Sequence, residues 1–150
     1  MLRYLIAFFF LFGLFLSCGE VSLYQTIPYA PVNFTVNPNG ADHDLKNPLA
    51  YRLFFEADRR LPDDRMGYAG LLVVTGLDGT LFAFDCCCPY EDNRTVRVVP
   101  DQNGKAKCPG CGSTFLTIYG LGTREAGPAN ESLQIYRVVS RQDGSFQILN

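Results

Sequence analysis

The feature that most constrains this 150-residue chain is a run of cysteines in its second half. Five of its six cysteines lie between residues 84 and 115, in the order Cys86, Cys87, Cys88, Cys108 and Cys111. Two short cysteine motifs about twenty residues apart, each beside a proline, can bring four thiolates to one metal from neighbouring loops of a small β domain. The spacing therefore predicts a metal-binding framework.

The two motifs constrain the ligands differently. In the run Cys108-Pro109-Gly110-Cys111-Gly112, small residues allow a tight turn whose amide groups point back at sulfur. Alternation along an extended chain puts Cys86 and Cys88 on one side of the first motif and Cys87 on the other. We therefore expect Cys86, Cys88, Cys108 and Cys111 to be the metal ligands. Cys87 is an alternative ligand if the strand ends early.

From Cys88 onward the chain resembles a Rieske iron-sulfur domain, whose loops read roughly C-P-H and C-P-x-H-G-S-x-F and precede G-P-A. The corresponding segments are Cys88-Pro89-Tyr90, Cys108 to Phe115, and Gly127-Pro128-Ala129. The resemblance implies an all-β, antiparallel β-sandwich with a small two-loop subdomain for a 2Fe-2S cluster. It also implies that Ser113 bonds a bridging sulfide, and that the loop containing Pro128 lies against the cluster and limits solvent.

The ligand residues depart from the Rieske pattern. A Rieske cluster has two cysteines on one iron and two histidines on the other. This chain has one histidine, His43, far from both loops, which excludes a standard Rieske cluster. Cys111 stands at the second histidine position. Two alignments remain open for the first loop: one puts Tyr90 at the histidine position and the other, starting at Cys86, puts Cys88 there.

The N-terminal segment has the pattern of a signal peptide over residues 1–17. Arg3 precedes an apolar run from Tyr4 to Leu16 that is too short to span a membrane. Ser17-Cys18 resembles a bacterial lipoprotein cleavage box, which implies a lipidated Cys18 followed by a tether over residues 18–27. We expect a lipoprotein of the bacterial cell envelope that faces the periplasm or the cell surface. A plain secretory signal with an incidental cysteine is the alternative.

An oxidising compartment also allows disulfides in the cysteine loops. Lipidation of Cys18 leaves five cysteines, an odd number, which fits four ligands and one spare thiol. The shape of the second motif favours metal over disulfides. The 13 basic residues are scattered among 15 acidic ones, so nucleic acid is not an expected partner.

Residues 28–150 are predicted to form one β domain without a helix of ordinary length. Its clearest local structure is a hairpin in which Leu71–Thr75 and Thr80–Asp85 flank Gly76-Leu77-Asp78-Gly79. The second strand of this hairpin leads directly into the first cysteine motif. Further strands are predicted over residues 32–36, 49–56, 95–99, 116–122, 133–140 and 146–149.

Two functions are compatible with these features. The first is a membrane-anchored electron-transfer module that carries a 2Fe-2S cluster on cysteines and serves a redox partner protein. The second is a non-redox binding or structural module of the envelope with zinc or a disulfide in the same loops. The single histidine has no paired nucleophile, so no catalytic residues are assigned. An electron carrier or binding module is expected rather than an enzyme acting on its own.

Overall fold

The structure is a computed structural model that describes residues 26–150. The expected signal peptide, the lipidation site Cys18 and nearly all of the tether lie outside these residues. Within the described residues the fold is all-β, as predicted, and the only helical segments are two short 3-10 turns, His43–Lys46 and Glu56–Asp58. None of the helical segments in this part of the chain is long and apolar enough to cross a membrane.

Eleven strands make up the described domain. They are β1 Val32–Val36, β2 Tyr51–Phe54, β3 Arg65–Met66, β4 Leu71–Thr75, β5 Leu81–Asp85, β6 Val99–Pro100, β7 Lys105–Lys107, β8 Thr114–Leu116, β9 Thr123–Ala126, β10 Ile135–Ser140 and β11 Phe146–Leu149. A nearly closed seven-stranded antiparallel sheet has the order β2-β4-β5-β10-β11-β1-β3, and a four-stranded sheet has the order β6-β7-β8-β9. The first cysteine loop connects the large sheet to the small one, and the second lies between β7 and β8 of the small sheet.

Strand β4 lies between two apolar clusters, which explains its unbroken apolar sequence. All of its residues are buried. Leu72 and Val74 pack in the cluster that includes the cysteines, whereas Leu71 and Val73 pack in the cluster inside the large sheet. A strand that is covered on both faces needs apolar residues at every position, whereas β1 alternates as predicted, burying Val32, Phe34 and Val36.

The predicted hairpin is present and positions the first cysteine motif. Strands β4 and β5 pair from Leu71 with Asp85 to Thr75 with Leu81. The backbone N-H of Gly76 donates to the carbonyl of Thr80 at 2.8 Å to close the turn. Strand β5 ends at Asp85, and the next three residues form the first cysteine loop.

Two predicted strands are shorter than expected. In the 95–99 segment only Val99 is in a strand, because the backbone N-H of Val96 donates to the carbonyl of Asn93 at 2.9 Å in a turn. In the 116–122 segment only Leu116 is in a strand, because the N-H of Gly120 donates to the carbonyl of Thr117 at 3.1 Å in a turn. These turns shape the loops of the small sheet.

The penultimate strand also begins later than predicted. Leu133 lies before it and donates its N-H to the carbonyl of Gly122 at 3.0 Å, whereas β10 begins at Ile135. The side chains of Leu133 and Ile135 therefore lie in different environments. Leu133 is 2% exposed and Ile135 is 46% exposed.

Candidate metal centre

Three cysteines from the two loops converge at one point. The sulfur atoms of Cys88, Cys108 and Cys111 all lie within 4.8 Å of one another, and those of Cys88 and Cys111 are 3.6 Å apart. Cys88 and Cys108 are buried, and Cys111 is partly exposed. The structure thus brings together three of the four expected ligands in a group positioned to hold a metal ion.

The first loop turns sharply after Cys88. The carbonyl of Cys88 accepts the backbone N-H groups of Glu91 at 3.2 Å and Asp92 at 3.1 Å. Burial raises the pKa of the Cys88 thiol to about 12, and backbone N-H groups of Tyr90 and Glu91 that bond its sulfur oppose this shift. Amide donors at a sulfur are typical of metal-thiolate loops, where they stabilise the charged form. Tyr90, which one of the two alignments puts at the first histidine position, is 57% exposed.

The second loop has the tight turn that its small residues predict. The N-H of Gly112 donates to the carbonyl of Cys108 at 3.0 Å, and the N-H of Cys108 donates to the carbonyl of Ser113 at 2.8 Å. Gly112 has φ of +75°, which favours glycine. A Cβ on Gly110 would lie 2.7 Å from a carboxylate oxygen of Glu91, so glycine there allows the loops to approach closely.

Ser113 connects the second loop to the Gly-Pro loop. Its Oγ accepts the backbone N-H of Ala129 at 3.0 Å and lies 3.1 Å from Cys111 Sγ. This arrangement leaves the hydroxyl hydrogen free to point at a Cys111 thiolate. Burial alone would raise the pKa of Cys111, but hydrogen bonds from the Ser113 hydroxyl and backbone N-H outweigh it, and the pKa is lowered. Pro128, which was expected to cover the site, is exposed.

Cys86 and Cys87 are buried but do not belong to the three-sulfur group. The backbone of Cys86 is fixed by a 2.9 Å bond to the carbonyl of Gly70, and the Cys87 thiol donates to the carbonyl of Cys88 at 3.5 Å. Burial, followed by the charge of Asp85, raises the pKa of both thiols, that of Cys87 to about 12. Buried thiols of this kind are unreactive.

Sequence reasoning missed the importance of Asp85. Its buried carboxylate accepts the backbone N-H groups of Tyr68 at 2.7 Å, Ala69 at 3.1 Å and Cys87 at 2.7 Å, and the hydroxyl of Tyr136 at 2.8 Å. It therefore ties the start of the first cysteine loop to the turn before β4 and to β10. An acidic residue that ends an apolar central strand is the pattern that indicates such a role.

Three thiolates suit zinc and other metals that bind sulfur. Among residues 26–150 no other group of three cysteine, histidine or acidic side chains is close enough to hold a metal, and His43 is exposed on a 3-10 turn. No model of a known protein family matches the chain, and no curated protein matches it.

Proposed function

We propose that the domain is a metal-binding module in which Cys88, Cys108 and Cys111 hold one zinc ion between the two loops. The mutual closeness of the three sulfur atoms carries this proposal. Thiolates at about 2.3 Å from a tetrahedral zinc ion lie about 3.8 Å from each other, because the edge of a tetrahedron is about 1.63 times its centre-to-corner distance. The 3.6 Å between Cys88 and Cys111 fits that value, and Cys108 lies within 4.8 Å of both.

A zinc ion at this position would join the small sheet to the large sheet. Cys88 follows the central strand β5 of the large sheet, whereas Cys108 and Cys111 lie between β7 and β8 of the small sheet. Metal binding and folding are linked in such sites because the ligands come together only in the folded state. Three cysteines would leave one position of a tetrahedral zinc ion without a protein ligand, and water or an external ligand would complete it. The module would serve as a binding or structural part of the envelope, anchored through Cys18.

A 2Fe-2S electron-transfer module of Rieske-like architecture is the second candidate. The hydrogen bonds that surround the sulfur atoms favour it, since Ser113 and the amides after Cys88 would tune a cluster's potential. A two-iron cluster needs a fourth ligand from Cys86, Cys87 or Tyr90, and a wider separation of the sulfur atoms than a single ion needs. With cysteine ligands its potential would be near the roughly −400 mV of plant-type ferredoxins. Its redox partner would be another protein of the envelope.

Cobalt titration of the metal-free protein tests the single-ion proposal. Cobalt replaces zinc in tetrahedral thiolate sites and gives a thiolate charge-transfer band whose strength grows with the number of sulfur ligands. We expect saturation at one cobalt per chain, with a weaker band in Cys111→Ser and an unchanged band in the matched control Cys87→Ser. Loss of the band in Cys87→Ser, or no change in Cys111→Ser, would refute the assigned ligand set.

A further inference from the structure

A separate cavity of about 140 Å³ lies beside the first cysteine loop. Its wall comes from the segment after β2, the turn between β3 and β4, and the segment between Cys88 and β6. The side chains that characterise it are two aromatic residues, Phe55 and Tyr68, and two arginines, Arg94 and Arg97. None of these residues belongs to the three-sulfur group.

Both arginines stack on aromatic rings of the same cavity. The guanidinium carbon of Arg97 lies 4.4 Å from the ring centre of Phe55, and that of Arg94 lies 5.6 Å from the ring centre of Tyr68. Stacking uses the flat face of a guanidinium group and leaves the N-H groups at its edge available to an anion. Arg97 donates its Nε-H to the carbonyl of Ala69 at 2.7 Å, so its two terminal nitrogens remain available to bind an anion.

Neither arginine has an acidic partner among residues 26–150, although carboxylates lie near the cavity. Glu56 is in the cavity wall but pairs with Arg59 at 3.5 Å. Asp85 lies beneath the turn, where three backbone N-H groups and the Tyr136 hydroxyl occupy its oxygens. Two positive charges therefore face one concave surface without a salt bridge to the described part of the chain.

The floor of the cavity is a turn that glycine makes possible. Gly70 has φ of +116°, and a Cβ there would lie 2.5 Å from the ring of Phe55. Gly67 has φ of +73°, and a Cβ there would lie 2.8 Å from a carboxylate oxygen of Asp85. The ring that supports Arg97 thus packs directly on the turn, and Asp85 fixes the turn from below. The cavity is held in shape from two sides.

We infer that this cavity binds a small oxyanion, a carboxylate- or phosphate-bearing molecule, between Arg94 and Arg97. Guanidinium groups bind both classes through paired N-H···O bonds. A volume of about 140 Å³ is smaller than the roughly 300–1,000 Å³ of pockets for drug-sized ligands, so the cavity suits a small anion rather than a nucleotide. The site does not depend on the metal, although the backbone of Arg97 pairs with that of Cys87 in the first loop.

Calorimetric titration of the full chain with sodium phosphate or sodium acetate tests the site, with ionic strength held constant by sodium chloride. We expect saturable binding of at least one anion, weakened about tenfold or more in Arg94→Gln. Arg97→Lys keeps the charge but loses the paired N-H geometry, so it should also weaken binding about tenfold. Arg137→Gln, an exposed arginine on β10, is the matched control and should bind as the unchanged protein does.

The relative affinities of phosphate and acetate identify which class of ligand the cavity accepts. Cys111→Ser should bind the anion normally, which separates this site from the metal site. The inference fails if neither phosphate nor acetate shows saturable binding beyond that seen with sodium chloride alone. It also fails if Arg94→Gln and Arg97→Lys, with unchanged circular dichroism, bind as well as Arg137→Gln.

Discussion

Replacing Asp85 by Asn tests whether a buried carboxylate organises the first cysteine loop. The carboxylate accepts four donors: the backbone N-H groups of Tyr68, Ala69 and Cys87 and the hydroxyl of Tyr136. Asparagine has nearly the same shape, but one of its two terminal atoms is an N-H₂ donor. The substitution therefore changes the hydrogen bonding with little change in packing.

The expected cost follows from the positions of the donors. The amide of Asn is best accommodated with its N-H₂ toward Tyr136, because a hydroxyl oxygen can accept. The N-H of Tyr68, at 2.7 Å from Oδ2, then faces another donor. Loss of a hydrogen bond to a charged group costs about 1.5–3 kcal/mol, and the bonds that remain become neutral and weaker. We expect the free energy of unfolding to fall by about 3 kcal/mol, a large part of the roughly 5–15 kcal/mol typical of domains.

Urea unfolding followed by circular dichroism measures this cost. Tyr136→Phe is the matched control, because it removes one donor of four and leaves the carboxylate three backbone donors, so it should cost about 1.5 kcal/mol, the low end of that range. Asp85→Asn should also weaken zinc binding, since the bond from the N-H of Cys87, next to the proposed ligand Cys88, then goes to a neutral acceptor and is weaker. A cost below about 1 kcal/mol for Asp85→Asn, or a larger cost for Tyr136→Phe than for Asp85→Asn, would contradict this role of the carboxylate.

Three further predictions concern the loops. Gly127→Ala should lower the free energy of unfolding, measured in urea, by about 2 kcal/mol or more, because φ is +93° and the new Cβ would lie 2.4 Å from Ser113 Cα. Gly112→Ala is the control, because Gly112 is also at positive φ but has no atom within 4 Å of the added Cβ. Equal losses of stability in the two variants would contradict the importance of the contact with Ser113. Ser113→Ala should raise the pKa of Cys111 in metal-free protein, measured as a shift of its alkylation rate to higher pH; an unshifted profile would argue against the hydroxyl. Folding raises the pKa of Cys88 from 9.0 to about 12. The neutral Cys88 thiol therefore makes its full contribution to the free energy of unfolding below pH 9, and this contribution is lost as the pH rises toward 12. Metal-free protein should therefore become easier to unfold over that range, whereas a metal-free protein of constant stability would count against a buried neutral thiol.

The fold was predictable where local patterns decide the structure. The alternation of β1 and the Asp78-Gly79 turn between β4 and β5 are strong local features, and both predictions are confirmed. Strands β7 and β9 were not predicted. They are three and four residues long, and all four residues of β9 are exposed, so apolar periodicity cannot reveal them. Their pairing depends on neighbours in the sheet.

The metal site was predictable from the sequence only where a local pattern decides the structure, as in the second cysteine motif. The spacing and small residues of the second motif led directly to Cys108 and Cys111, which the structure places together with Cys88. The inclusion of Cys86 rested on strand alternation, which does not extend past Asp85, where β5 ends. The bonds to Asp85 come from residues 16, 17 and 51 positions away as well as from Cys87, so tertiary contacts decide the path of the first loop.

A count of metal and sulfide in the whole chain purified without oxygen, together with its visible spectrum, tests most directly whether the three cysteines hold one zinc ion. We expect a colourless protein with about one zinc per chain and no acid-labile sulfide. Cys111→Ser should retain less zinc, and Cys87→Ser should retain it fully. A brown protein with about two irons and two sulfides per chain would contradict the single-ion site and establish the iron-sulfur alternative.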